Sequence, residues 1–132
     1  MNSVVLKIHK QHWANNPGAK PQPGPAIFFS IWIGNDDIKN HQLFYNIHAL
    51  KLRQLNGYTI TSRAFATDFR QQFKAFEHNW PNVSTNFGPQ TLMQGWQTVD
   101  LEAATEDIFK IAKKFIEIDI LIDNLLTNRR IK

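Results

Sequence analysis

Cysteine is missing from the sequence, and its absence excludes several kinds of chemistry at once. The chain has no thiol for a disulfide, for a thiolate nucleophile or for a cysteine-ligated zinc site. Its six glycines are scattered, so there is no glycine-rich phosphate loop and no G-x-S-x-G motif. No other motif predicts a metal ion or a cofactor, and we expect neither.

Long apolar runs are missing as well. The longest, AIFFSIWI at 26–33, is far too short to cross a membrane as a helix. The first residues, MNSVVLKIHK, lack the apolar core of a signal peptide. Together with the lack of cysteine, these features predict a cytoplasmic protein that does not enter a membrane.

The sequence does contain enough apolar material for a core. Hydrophobic residues make up 42% of the 132 residues and aromatic residues 12%, which fits one compact domain. The segment NNPGAKPQPGP at 15–25 is too rich in proline and glycine to form a helix or to pair as a strand. We therefore predict a single domain over 1–132 with one flexible loop.

The net charge of +4 is distributed unevenly along the chain. Residues 1–76 contain nine Lys or Arg against three Asp or Glu, whereas residues 77–132 contain six against eight. This asymmetry has two explanations: an anionic partner for the first part, or attraction between the two parts within one fold.

The hydrophobic pattern predicts an α+β domain. SVVLKIHKQHW at 3–13 favours a strand with one wetter face, and AIFFSIWI favours a central strand covered on both faces. These two would pair as an antiparallel hairpin, and LMQGWQTVDL at 92–101, interrupted by Gly95, would add a third strand. Two shorter helices and a long C-terminal helix would cover this small, mostly antiparallel sheet.

The first helix is predicted between Asn35-Asp36, which can cap its start, and Asn56-Gly57, which ends it. His41 and His48 lie in this segment, and a helical wheel places both on its apolar face. Their spacing corresponds to about 10 Å of helix rise, too far for both rings to bind one metal ion. His48 is either a packed histidine with hydrogen-bonded nitrogens or a catalytic group.

The last helix is predicted from Thr105 to about Asn128, and its apolar residues form two rows. The longer row consists of Ile108, Ile111, Phe115, Ile118, Ile122 and Leu125, and the shorter row of Phe109, Ile116 and Ile120. One row could face the sheet and the other a second copy of the chain. We predict a two-fold homodimer through this helix; the alternative is a central helix enclosed within one chain.

Asp119 and Asp123 fall between the two rows, where carboxylates are usually paired. A carboxylate beside His48 or His41 could orient the imidazole as a general base in a pocket. The alternatives are a structural buried pair and carboxylates that reach solvent.

The second helix, predicted from Ser62 to about Asn79, is clearly amphipathic. One side carries Phe65, Phe69, Phe73 and Phe76, which must face the core. The opposite side carries a basic stripe of Arg63, Arg70 and Lys74, which Arg53 could widen. These cations could contact phosphates, or they could form an ordinary solvated helix face. No helix-turn-helix, zinc-finger or RNA-recognition signature accompanies them.

Three functional hypotheses result. The first is a non-enzymatic domain that acts through a protein-interaction surface, as a homodimer. The second is an accessory protein that binds or processes nucleic acid through the basic stripe. The third is an enzyme with a pocket centred on His48.

Overall fold

The computed structural model describes residues 3–16, 24–34 and 39–131. In chain order the elements are β1 (Ser3–Ile8), β2 (Ala14–Asn15), β3 (Gly24–Pro25), β4 (Ile27–Gly34), β5 (Gln42–Ala49), α1 (Ser62–Phe73), β6 (Thr91–Thr98) and α2 (Ala104–Thr127). The main sheet has four antiparallel strands in the order β1-β4-β5-β6, and β2 pairs with β3. The chain therefore has the predicted α+β architecture, with four strands in its main sheet rather than about three.

The predicted N-terminal hairpin is confirmed, because β1 pairs antiparallel with β4. Residues 17–23 of the predicted loop lie outside the described residues. The two ends of that segment do pair, as the two-residue strands β2 and β3, so the expectation that no part of 15–25 pairs as a strand is wrong. A two-residue ladder can include Pro25 because it needs few backbone N–H donors, and proline has none to give.

The predicted first helix is wrong, because residues 42–49 form β5. Leu43, Tyr45 and Ile47 alternate along one side of the strand and are fully buried. Polar residues alternate with them on the other side, but Phe44 stands among those polar residues. Because Phe44 is apolar, the alternation of apolar and polar residues is interrupted, and the pattern also fits a helix. Residues 35–38, where a cap was expected, lie outside the described residues.

Both described helices pack on one face of the sheet. The phenylalanines of α1 at positions 65, 69 and 73 are buried, as predicted. The longer row of α2 is buried too, with Ile108 partly buried. Phe115 lies at the centre of this core, with its ring stacked on that of Phe29 at a centroid distance of 4.3 Å. No helix in the described ranges is both long and apolar enough to cross a membrane.

Among the described residues no helix lies on the other face of the sheet, which we call the open face. Phe28, Ser30 and Trp32 of β4 belong to it, since they alternate with residues that face the helices. The predicted central position of this strand is confirmed, and on this face too Phe28 and Ser30 are buried and Trp32 is half-buried, although no described helix covers them. Its residues are apolar on both sides for two different reasons: a packed core on one side, and an aromatic surface on the other.

Candidate binding site on the open face of the sheet

A row of four polar side chains crosses the open face, one from each strand. This polar row consists of Lys7, Ser30, Asn46 and Gln94, and each member is paired in register with the next. Asn46 is only 2% exposed although no described helix covers it. Its amide is enclosed by larger side chains that stand on both sides of the polar row.

An aromatic row runs parallel to the polar row. It consists of Val5, Trp32, Phe44 and Trp96, again paired in register across the four strands. The rings of Trp32 and Phe44 stack at a centroid distance of 5.6 Å and an angle of 19°. All three rings are half-buried, so part of their π surface remains open to a ligand.

On the other side of the polar row, Phe28 lies opposite His48. Their ring centroids are 5.1 Å apart, and the ammonium group of Lys7 lies 5.1 Å from the centroid of Phe28. The polar row therefore lies in a trough between aromatic rings. This trough encloses a depression of about 390 Å³.

The floor of the depression carries a buried carbonyl oxygen without a partner. Asn46 Nδ2 donates to Gln94 Oε1 at 3.1 Å and to His48 Nε2 at 3.0 Å. Asn46 Oδ1 accepts no hydrogen bond from any described residue. An unsatisfied buried acceptor costs about 1–3 kcal/mol, so a bound donor at this position would be stabilised.

The neighbouring imidazole accepts a hydrogen bond from the Asn46 amide. Because Nε2 of His48 accepts from Asn46, the neutral ring carries its proton on Nδ1. Burial lowers the pKa of His48; the Gln90 carbonyl opposes this shift and the Lys7 charge adds to it. That carbonyl does not meet the ring with hydrogen-bond geometry, and Nδ1 is left without a partner. Nδ1 lies on the far side of the ring from Asn46, near the Gln90 carbonyl, so the group that this pair leaves open to a ligand is Asn46 Oδ1.

No Asp or Glu lies in the described part of this surface. The four strands of the main sheet contain no Asp or Glu, and the described residues that line the depression include Lys7 but no carboxylate. The first 76 residues, which carry the excess of positive charge, supply three of the four strands. Of the nine Lys and Arg residues in that part, Lys7 alone lies in the strands, so most of the excess positive charge lies outside the sheet.

The predicted cluster of histidines and aspartates does not form. His48 lies on the open face, whereas α2, with Asp119 and Asp123, lies on the other side of the sheet. His41 is exposed in the turn before β5, with a positive φ of 54°. The wheel that brought the two histidines onto one apolar face assumed a helix, and the strand separates them.

The two carboxylates are paired with residues near the N-terminus instead. Asp123 accepts hydrogen bonds from Lys10, from His12 Nε2 at 2.7 Å and from Trp13 Nε1 at 2.9 Å. Asp119 forms an ion pair with Lys10 at 3.3 Å. Sequence reasoning did not identify His12, since it lies 111 residues from Asp123 along the chain and no local pattern connects them.

The basic stripe is broken at its middle member. The Arg70 guanidinium donates to the backbone carbonyls of Phe87, Gly88, Thr91 and Leu92, at distances from 2.9 to 3.2 Å. It therefore ties the loop before β6 to α1 and does not point into solvent with its neighbours. Arg63 and Lys74 are exposed, as is Arg53 in a separate 3₁₀ turn.

Comparison with known proteins identifies no relative. No family model matches the chain, and neither does any curated protein or solved structure. Within the part of the chain that the structure describes, no group of three or more His, Asp or Glu side chains could hold a metal ion. The geometry of the open face is therefore what indicates a function.

Proposed function

We propose that the chain binds single-stranded nucleic acid on the open face of its sheet. The observation that carries this proposal is an unpartnered buried carbonyl oxygen, Asn46 Oδ1, on a floor flanked by aromatic rings. A nucleobase offers N–H donors on its edge, and two flat faces for stacking. The trough supplies a complement to both.

The charge of this surface supports a polyanionic ligand. Lys7 stands at the edge of the trough without a carboxylate among the lining residues, so a phosphate would meet attraction and no described repulsion. A single strand is favoured over a duplex, because unstacked bases can reach a sheet surface on which aromatic side chains stack against them.

A dry protein interface fits the open face less well. An apolar partner laid over the trough would bury the Lys7 ammonium group and leave Asn46 Oδ1 unsatisfied. Burying an unpaired charge costs several kcal/mol, and an unpaired carbonyl costs roughly 1–3 kcal/mol more. A ligand that is both aromatic and polar avoids both costs.

Catalysis by His48 has less support than binding. A general base of this type is commonly oriented by a carboxylate, and no described carboxylate contacts the His48 ring. Its Nε2 is instead occupied by an amide donor. We therefore assign His48 a role in recognition.

The test is fluorescence anisotropy with labelled single-stranded DNA, single-stranded RNA and duplex DNA of equal length, across a salt series. We expect micromolar binding of the single strands at low salt, weakening as salt rises. Phe44→Leu and Trp32→Leu should each weaken it about ten-fold, because base stacking on an aromatic side chain is worth about 1–3 kcal/mol. The matched control is Phe87→Leu, since Phe87 is exposed and lies outside the sheet.

Absence of binding at low salt would overturn the proposal. Equal losses in Phe87→Leu and Phe44→Leu would also contradict it, because they would place the nucleic acid elsewhere. Circular dichroism of each variant shows whether a loss of binding reflects a loss of fold.

A second role, assembly as a homodimer through α2, is favoured by a different observation. With the longer row buried, the shorter row of α2 is left at the surface: Phe109, Ile116 and Ile120 are 62%, 60% and 51% exposed. An antiparallel pairing of two copies would set Phe109 of one against Ile120 of the other. In the same register Lys113 of each copy would lie opposite Ile116 of the other.

Sedimentation equilibrium at several protein concentrations tests this assembly. We expect a dimer that Ile116→Lys converts to a monomer, since the change sets an ammonium group against Lys113 of the other copy. The control is Phe87→Lys, a similar change at an exposed aromatic residue away from α2. A wild-type chain that remains monomeric throughout would rule the dimer out.

A further inference from the structure

A second concave surface lies away from the open face. It is a cleft of about 580 Å³ between the 3₁₀ turn Gln11–Trp13, the loop 56–58 and the C-terminal Arg130 and Ile131. Backbone hydrogen bonds hold its walls together, with the Ile131 amide donating to the Gly57 carbonyl at 3.0 Å. A volume of this size suits a small organic ligand, since such pockets span about 300–1,000 Å³.

One wall of the cleft carries a histidine oriented by a carboxylate. His12 Nε2 lies 2.7 Å from Asp123 Oδ1, and Asp123 is itself held by Trp13 and Lys10. Partial burial alone would raise the pKa of Asp123, but the hydrogen bonds from Lys10, Trp13 and His12 outweigh it and the net shift is downward. Asp123 is therefore charged, and its hydrogen bond to Nε2 fixes the orientation of the His12 ring. No described residue forms a hydrogen bond with His12 Nδ1.

The other wall carries an arginine without an internal partner. The backbone of Arg130 is held by a bridge to Tyr58, yet no described residue accepts a hydrogen bond from its guanidinium group. Its neighbour Arg129 differs, since it pairs with Asp68 at 2.5 Å. The described lining of the cleft contains Arg130 and His12 but no carboxylate.

We propose that this cleft binds a small phosphate-bearing molecule, about the size of a sugar phosphate, with Arg130 and His12 as its phosphate contacts. A guanidinium group recognises phosphate through two parallel hydrogen bonds. A protonated His12 would donate from Nδ1 while its Nε2 stays on Asp123, so Asp123 acts as a positioning residue. The proposal is independent of nucleic-acid binding on the open face.

The test follows the histidine ring signals of the full chain by NMR while inorganic phosphate replaces chloride at constant ionic strength. We expect the His12 signals to shift saturably, with a millimolar dissociation constant. The ring of His9 is exposed and three residues away, and its signals should remain in place. Arg130→Gln should weaken binding about ten-fold, because it removes a charge-assisted pair, whereas Arg53→Gln, at an exposed arginine outside the cleft, should not.

A second variant tests binding by a method that does not depend on the His12 signals. His12→Gln removes the NMR probe, so the binding of glycerol phosphate to this variant is measured by calorimetry. We expect it to be weakened about as much as in Arg130→Gln. Unsaturable shifts, or equal shifts of His9 and His12, would show that phosphate acts only as an ion in bulk. A response of His12 to single-stranded oligonucleotide but to neither phosphate nor glycerol phosphate would also overturn the proposal, since the cleft would then belong to a nucleic-acid surface.

Discussion

The two faces of the sheet are built from the same four strands, yet they carry different chemistry. Toward the helices, β4 and β5 present side chains that are all buried: Ile27, Phe29, Ile31, Ile33, Leu43, Tyr45, Ile47 and Ala49. Toward the open face, the same strands alternate aromatic and polar residues and leave a buried carbonyl unpaired. The covered face is what a stable core requires. The open face contains groups that stability alone does not require, and for this reason we assign recognition to it.

The largest expected effect is a difference in the free energy of unfolding between substitutions on the two faces. Phe115→Ala should lower the free energy of unfolding by about 3–5 kcal/mol, because it removes a fully buried ring from the centre of the core. Phe44→Ala, at a half-buried ring on the open face, should cost about 1 kcal/mol. Urea denaturation of both variants measures the difference. Equal losses would mean that the open face is part of the core and would remove the basis of the comparison.

A smaller loss of stability is expected at Gly95 of β6, where the Tyr45 side chain packs directly on the backbone. A Cβ atom at Gly95 would overlap the Tyr45 hydroxyl oxygen, and that hydroxyl donates to the Pro81 carbonyl at 2.5 Å. Gly95→Ala should therefore cost about 1–3 kcal/mol through overpacking. Gly88→Ala is the control, since nothing lies within 4 Å of its added Cβ. Thermal unfolding of the two variants should differ clearly, and coincident curves would contradict the packing of Tyr45 on Gly95.

The basic stripe offers a comparison between two arginines on one helix. Arg70→Lys should lower the free energy of unfolding by about 1–3 kcal/mol, because an ammonium group cannot serve the carbonyls that the planar guanidinium reaches. Arg63→Lys should leave stability unchanged, since Arg63 is exposed. Urea midpoints check both. If the two substitutions have equal effects on stability, Arg70 does not hold the loop before β6.

Much of this fold could be predicted from local pattern. The hairpin, the phenylalanine side of α1, the strand around Gly95 and the limits of α2 all follow from periodicity and turn residues. The failure at β5 has a physical cause. An eight-residue segment with Phe44 on its polar side satisfies a period of 2 and a period of 3.6 almost equally. Pairing with β4 and β6 makes this segment a strand and not a helix, and that pairing cannot be predicted from the residues of the segment alone.

The candidate site was predictable in one residue only. His48 could be singled out because it is a polar side chain in an apolar run. The other groups of the trough come from separate strands and meet only through register, so no local pattern brings Lys7, Asn46 and Gln94 together. The same limit applies to Asp123: the sequence indicated that this carboxylate needs a partner, and the partner it finds is His12 rather than His48.

The smallest expected effect is a pH dependence that comes from His48 on the open face. Burial lowers its pKa in the folded chain below the ordinary value of 6.5, so the unfolded chain takes up a proton at pH values where the folded chain does not. The stability that a neutral His48 contributes is complete above about pH 6.5 and is lost as the pH falls through the lowered folded pKa. Protonation would also place an N–H on Nε2, against the amide donor of Asn46. The measurement is the free energy of unfolding of the wild-type chain and of His48→Gln at about pH 7.5 and about pH 5.5. We expect the stability advantage of the wild-type chain over His48→Gln to narrow at the lower pH. An advantage that stays constant or widens would show that the ring is not held neutral beside Asn46, and the orientation that leaves Asn46 Oδ1 free would lose its basis.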